Sequence, residues 1–233
     1  KMKKIAILLG VMLLCSTFVL AAFATVEYLG ASGDYKVTYQ QTILKGWNLL
    51  PANQGAWSIA GDTSETKVLP KIKAYYMYLP LQNKYVNALG GFNDQDFKLV
   101  QSNQQYLQSS AGWYYMADTI VLSYIAEDGG GMPKLYRGWN LLTIGPSLSV
   151  LNPKVKVNNH FPYGDCKFEK LFMWDSQAQK WSEKNVGMPK VEDALDELAD
   201  SDAIGAGIAI KVKDSCQLGT GSEAITAPPA LPN

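Results

Sequence analysis

The alternation of apolar and polar positions predicts short β-strands along most of the chain. Residues 35–43 place Val37 and Tyr39 on one face and polar side chains on the other, which is typical of a half-buried strand. Two aromatic segments, 74–78 and 168–174, are each followed by turn residues and a second short strand, which predicts two β-hairpins. Further strands are predicted at 112–117, 119–125 and 208–212. We therefore expect a mainly β fold.

One segment instead has the period of an α-helix. Val191, Ala194, Leu195 and Leu198 recur at i, i+3, i+4 and i+7, with acidic residues between them. This pattern predicts a short amphipathic helix over residues 191–199, which two nearby glycines end.

A pentapeptide, Gly-Trp-Asn-Leu-Leu, occurs at 46–50 and again at 138–142, each time after a basic residue. An aromatic hairpin block follows each copy, and it begins 30 residues after the first glycine and 34 residues after the second. A third block matches 111–115 with 206–210, so that Gly112 corresponds to Gly207. The shared order and spacing indicate an internal duplication.

The duplication predicts two related β-sandwich or barrel-like modules, at residues 25–127 and 135–216. A glycine-rich linker at 128–134 joins them, and it lets the modules reorient unless their interface is substantial. Residues 217–233 are a proline-rich tail without basic residues, which predicts disorder or a tether.

The N-terminal pattern predicts export. Three lysines precede an uncharged run from residue 5 to 24 that ends in Ala22-Phe23-Ala24, the small-x-small pattern of a signal peptide cleaved after Ala24. Alternatively residues 5–24 form a hydrophobic helix that is kept as a membrane anchor or packed inside a filament. In either case we expect an extracellular or cell-surface protein, in contact with the membrane only through residues 5–24 if they are retained.

Export also bears on the cysteines. Beyond the predicted signal the chain contains only Cys166 and Cys216, both in the second module. Two thiols in an exported chain usually pair, so a Cys166–Cys216 disulfide is expected.

Composition argues against several functions. The chain carries 21 basic and 21 acidic residues, which leaves no electrostatic footprint for nucleic acid. The single histidine, His160, has no Gly-x-Ser-x-Gly partner motif, and with two cysteines it supplies too few ligands for zinc. Asp200 and Asp202, at the exit of the predicted helix, are weak calcium candidates. No phosphate-binding loop is present, so we expect neither a cofactor nor catalysis.

The 6 tryptophans and 13 tyrosines are the remaining chemical signal. Aromatic residues at equivalent repeat positions are predicted to form the core of the repeats: Trp47 with Trp139, Tyr78 with Trp174, and Tyr85 with Trp181. Aromatic residues without a counterpart are the candidates for stacking on a ligand: Trp57, Tyr114 and Tyr163.

The pentapeptide, the aromatic hairpin and a following Gly-aromatic strand together resemble the Gly-Trp-Asn-Leu β repeats of exported bacterial and archaeal surface proteins. The resemblance covers residues 40–213, although the second copy has lost the aromatics of its last block, Gly207-Ile208-Ala209. It implies a non-catalytic attachment or scaffolding unit whose partner is a cell-envelope component, a polysaccharide or a surface protein. Two alternatives stay open: a carbohydrate-binding module, and a homo-oligomeric filament or surface-layer subunit.

Overall fold

The computed structural model describes residues 23–28, 35–52, 57–59, 68–89, 95, 98, 110–128, 133–145, 148, 161, 163–184, 186–199 and 205–219. These residues form fourteen β-strands and one α-helix of nine residues. The strands are β1 Phe23–Tyr28, β2 Tyr35–Ile43, β3 Gly46–Pro51, β4 Trp57–Ile59, β5 Ile72–Leu79, β6 Lys84–Asn87, β7 Ala111–Met116, β8 Ile120–Asp128, β9 Lys134–Leu135, β10 Gly138–Thr143, β11 Phe168–Asp175, β12 Lys180–Glu183, β13 Gly207–Val212 and β14 Cys216–Gln217; the helix α1 is Val191–Ala199.

The strands form antiparallel sheets, so the mainly β prediction is confirmed. The N-terminal sheet has the order β1-β2-β8-β4. The first repeat sheet has the order β3-β7-β5-β6, the second repeat sheet has the order β10-β13-β11-β12, and β9 pairs with β14 in a short ladder.

Most of the predicted N-terminal hydrophobic helix, residues 5–24, lies outside the described residues. The exception is its end, because β1 begins at Phe23 and pairs with β2 along its whole length. The predicted cleavage after Ala24 would divide this strand. No helix in the described part of the chain combines the length and apolar character needed to cross a membrane.

The two repeat sheets have the same strand order, as the duplication predicts. In each sheet the pentapeptide strand, β3 or β10, pairs with the last strand of its repeat, β7 or β13. That strand pairs in turn with the first strand of the hairpin, β5 or β11. Each sheet also carries a register shift at the same place, between Ile72 and Ala74 in the first and between Phe168 and Lys170 in the second. The repeats therefore share irregular details of the backbone as well as topology.

The ladders correct the predicted alignment of the third block. Gly46 pairs with Met116 and Gly138 pairs with Val212, so Met116 corresponds to Val212. Counting back along both strands, Gly112 corresponds to Ile208 and not to Gly207, and the prediction that matched the two glycines is wrong by one residue. A slip of one residue exchanges the two faces of a strand, so the error reversed which side chains point into the interface.

The pentapeptide glycine and asparagine fix the turn into each repeat sheet. Gly46 and Gly138 have φ values of +102° and +95°, a region that side chains rarely adopt. Asn48 Nδ2 donates to the carbonyl oxygens of Leu44 and Gly46, at 2.8 and 3.0 Å. Both asparagines are buried, and Asn140 repeats this pattern in the second copy. The motif thus fixes the path of the backbone at the start of each repeat sheet.

Helix α1 covers one face of the second repeat sheet, and its predicted bounds and apolar face are confirmed. Val191, Ala194 and Leu195 are buried against this sheet. The expected disulfide between Cys166 and Cys216 is present in the same core, beside the β9–β14 ladder. The corresponding face of the first repeat sheet packs against one end of the N-terminal sheet through a core that includes Ile43, Leu50, Ile72, Tyr114, Met116 and Leu122.

The free faces of the two repeat sheets pack against each other. Leu49, Tyr78 and Ala111 of the first sheet meet Leu141 and Ala209 of the second, with partly buried aromatic side chains around them. The linker was expected to let the modules reorient unless their interface is substantial, and this shared apolar face is an interface that holds the two sheets together. Residues 129–132 of the predicted linker lie outside the described part of the chain.

Replacing Gly207 with valine tests this interface. An added Cβ would overlap Leu49 Cγ across the interface and lie 2.6 Å from Leu49 O. We expect the free energy of unfolding to fall by about 1–3 kcal/mol, with a smaller loss for Gly207→Ala. Denaturant unfolding measures the change. Valine favours strands over glycine, so a strand that met no partner here would instead gain stability, and that result would contradict the interface.

Candidate functional site

The interface between the repeat sheets contains a cavity of about 440 Å³, which we call the aromatic cavity. Every described residue that lines it is aromatic, and both repeats contribute: Trp47, Tyr76, Tyr85, Trp113, Trp174 and Trp181. Such a lining offers ring faces, indole N–H groups and phenolic hydroxyls.

Antiparallel pairing places these rings side by side on one face of each sheet. Tyr76 of β5 lies opposite Trp113 of β7 in the first repeat sheet. In the second repeat sheet Trp174 of β11 lies opposite Trp181 of β12. Directly opposed residues share a face, so each pair projects together toward the other sheet.

The tryptophan rings stand nearly at right angles to one another. Trp113 and Trp174 have ring centroids 4.7 Å apart and an interplanar angle of 88°. Trp181 makes angles of 82° with Trp113 and 79° with Trp174, at 5.4 and 5.5 Å. The three indoles therefore pack edge to face, and they do not form a flat row.

Hydrogen bonds between the repeats hold two of the walls. The indole Nε1 of Trp174 donates to the carbonyl oxygen of Trp47 at 2.9 Å. Gln179 donates from Nε2 to the same carbonyl at 3.0 Å, and its Oε1 accepts from Trp47 N at 2.8 Å. The backbone of Trp47 and the ring of Trp174 are thus fixed before any ligand arrives, which favours a preformed site.

The mouth of the cavity lies at the edge strands β6 and β12. Tyr85 is 52% exposed and Trp181 is 36% exposed, whereas Tyr78, directly opposite Tyr85, is buried. Tyr78 donates its hydroxyl to Asn83 Oδ1 at 2.6 Å. Partial burial, and secondarily the neighbouring Tyr85, raise the pKa of Tyr78, so its phenol stays protonated beside the site at neutral pH.

The predicted repeat core is right at some positions and wrong at others. Tyr78 is buried, and Trp139 and Trp174 pack in the interface cluster as expected. Tyr85 and Trp181 are instead exposed at the mouth, because their strands are the outermost in each sheet. Trp47 belongs to the cavity wall. Equivalent repeat positions thus mark the lining of the cavity as well as the core.

Of the predicted ligand-stacking residues, Tyr114 and Tyr163 are not among the described residues that line the cavity. Tyr114 lies in the opposite core instead, where it is 2% exposed and stacks on Tyr75 at 4.2 Å. Tyr163 is half-buried and donates its hydroxyl to Glu192 O at 3.1 Å, and burial raises its pKa. Trp57 lies in β4, where it pairs with Tyr124, and its side chain is outside the described residues.

The described residues contain one group of acidic and sulfur side chains close enough to share a metal: Asp165, Cys166 and Cys216. Both sulfurs belong to the disulfide, so neither is available as a thiolate ligand. The Asp165 carboxylate accepts a hydrogen bond from Gln217 N at 3.0 Å. The weak calcium candidates Asp200 and Asp202, and also His160, lie outside the described residues.

Sequence reasoning missed Tyr76 and Trp113 as site residues. Both belong to recognised repeat blocks, and both alternate with buried neighbours in the strand pattern. The alternation of side chains along each strand could have identified them. With the ladders in the correct register, Tyr76, Trp113 and Trp47 fall on one face of their sheet.

No family model matches the chain, and no curated protein or solved structure is found to be similar to it. A proposal for the function therefore depends on the geometry of the aromatic cavity.

Proposed function

We propose that this is an exported, non-catalytic binding protein of the cell surface or extracellular space, and that the aromatic cavity is its ligand site. The observation that carries the proposal is a preformed cavity of about 440 Å³ whose described lining residues are all aromatic. Small-molecule sites typically have volumes of roughly 300–1,000 Å³ and apolar or aromatic walls. Export rests on the N-terminal pattern and on the resemblance to exported two-repeat surface proteins.

The chemistry of the walls favours binding over catalysis. The six lining side chains include no carboxylate, imidazole, thiol or amine. General acid–base or nucleophilic catalysis near neutral pH depends on such groups. Indole and phenol surfaces instead supply contact area and weak electrostatic attraction.

The exposed rings at the mouth also support a ligand site. Tyr85 and Trp181 leave much of their surface in water although they lie next to apolar walls. Exposed apolar surface of this kind is typical of binding sites, since burying it stabilises a complex by about 25 cal/mol per Å².

Titration with 3,3-dimethylbutan-1-ol, an uncharged alcohol with a compact apolar group, tests the proposal. We expect a saturable change in tryptophan fluorescence. Replacing Trp181 with alanine removes part of the wall and should weaken binding by about tenfold or more. Trp181 is partly exposed on an edge strand, so the fold should tolerate the change.

Leu81→Ala is the matched control, because Leu81 is 60% exposed in the hairpin turn before β6 and does not line the cavity. Its affinity for the alcohol should equal that of the unmodified protein. A response that never saturates, or that survives Trp181→Ala unchanged, would show that the cavity is not the site.

A carbohydrate-binding module is the second candidate function. The exposed faces of Tyr85 and Trp181 favour it, because sugar rings stack on accessible aromatic side chains. Cellopentaose should then bind saturably and lose affinity with Trp181→Ala. No binding of cellopentaose or chitopentaose by a protein that binds the alcohol would remove this candidate.

A further inference from the structure

We propose that the aromatic cavity binds a quaternary ammonium group, such as the trimethylammonium head of a small solute or a lipid. This inference rests on the proposed function, since it names the ligand class of the same site. It follows from the angles between the walls, the hydrogen bonds that they already make, and the charge at the mouth.

Ring orientation is the first argument. Trp113, Trp174 and Trp181 are pairwise inclined at 79–88° and pack edge to face, and together with Trp47, Tyr76 and Tyr85 they line one cavity without forming a flat platform. A rounded cation can approach several such faces at once, and each face attracts it through the negative potential of the ring. A flat sugar ring is better matched by rings that lie parallel. The non-parallel aromatic walls therefore favour a compact cationic head over a sugar.

Hydrogen bonding is the second argument. Nε1 of Trp174 is already engaged with the Trp47 carbonyl, and the lining side chains offer no carboxylate or amide acceptor. A primary ammonium could donate only to the phenolic oxygens of Tyr76 and Tyr85 among these side chains, so it would regain little of the hydration that it loses, which is costly. A quaternary ammonium has no N–H group to satisfy, so the aromatic walls suit it.

The charge at the mouth is the third argument. Strand β12 carries two charged residues, Lys180 and Glu183, and Glu183 lies two residues after Trp181. Alternation along the strand puts Glu183 on the cavity face with Trp181, and Lys180 on the opposite face. Glu183 also lies directly opposite Phe172, whose ring packs in the interface. Glu183 is exposed on this face and lies nearer to Trp181 along the ladder than Lys170, which shares the face, so its carboxylate complements a cationic ligand.

Choline and 3,3-dimethylbutan-1-ol provide the test, because they differ only in a central nitrogen or carbon. Ligand-detected NMR titration of the full chain measures both affinities. We expect choline to bind about tenfold or more tightly than the alcohol, since several ring faces contribute. Equal or weaker binding of choline would overturn the inference and leave the proposed function standing. Binding of neither molecule would overturn both.

Three variants separate the contributions. Trp181→Leu keeps an apolar wall but removes a ring face, so choline should lose several-fold more affinity than the alcohol, which loses only contact area. Glu183→Gln should weaken choline by roughly two- to fivefold without affecting the alcohol. Lys180→Gln is the matched control on the other face and should leave both unchanged. Parallel loss of both ligands in Trp181→Leu would contradict a role for the ring's charge distribution.

Binding to vesicles distinguishes a quaternary ammonium group carried by a lipid from one carried by a soluble molecule. Sedimentation with phosphatidylcholine vesicles that depends on Trp181 would assign the site to a lipid headgroup. Choline binding without vesicle binding would assign it to a soluble ligand.

Discussion

Replacing Asn140 with alanine is expected to lower the free energy of unfolding by about 2–4 kcal/mol. Asn140 is fully buried, and its Nδ2 donates to the carbonyls of Tyr136 and Gly138 at 2.7 and 3.2 Å. Its Oδ1 accepts from Tyr136 N at 2.9 Å. Alanine leaves these backbone groups without their partner, and each buried group that stays unsatisfied costs about 1–3 kcal/mol.

Urea unfolding followed by circular dichroism measures this loss. Asn48→Ala, the equivalent change in the first repeat, should destabilise in the same direction, since Asn48 donates the two corresponding bonds. A loss below about 1 kcal/mol for Asn140→Ala would mean that water or a new turn satisfies these groups, and that the motif does not fix the strand.

Removing the disulfide by the double change Cys166→Ala and Cys216→Ala should cost about 4 kcal/mol. The bond links residues separated by 50 positions, and the chain-entropy model gives this figure for a closed loop of that length. Both sulfurs also lie in the core under helix α1, so alanine loses some packing as well.

Comparison of the urea midpoints of the oxidised protein and the double variant tests this prediction. The unmodified protein treated with a reductant is the control, and it should show a similar loss. A variant within about 1 kcal/mol of the oxidised protein would show that the second core is stable without the bond.

Local pattern was sufficient for most individual elements. The helix at 191–199 follows from four apolar residues at helical spacing. The two hairpins follow from aromatic strands on either side of turn residues, and Asn83 and Gln179 occupy equivalent turn positions with φ values of 49° and 51°. These features depend on neighbours within a few residues, which a sequence displays directly.

Register and packing depend on distant partners and were less accessible. Matching Gly112 to Gly207 sets the predicted alignment of the third block, although strand pairing shows that Gly112 corresponds to Ile208. Strand β1 was also missed, because its first residues read as the end of the export segment. Alternation gives two faces to every strand, but only the sheet decides which face meets another sheet.

The cavity arises where the two repeats differ. In the corrected register Trp113 corresponds to Ala209, and both lie in the interface between the repeat sheets. The large ring in one copy and the small side chain in the other make the shared face asymmetric. Repetition alone therefore could not reveal the site, because the residue that builds its inner wall is present in one copy only.

The most direct test of the aromatic cavity as a ligand site is ¹⁹F NMR of the protein labelled with 5-fluorotryptophan and titrated with 3,3-dimethylbutan-1-ol. Single Trp→Phe changes assign the resonances. Trp47, Trp113, Trp174 and Trp181 line the cavity, whereas Trp139 lies in the same interface outside it. We predict that the four cavity resonances shift with one common dissociation constant while that of Trp139 stays in place. Absence of a shift at all four, or a saturable shift at Trp139 alone, would contradict the account.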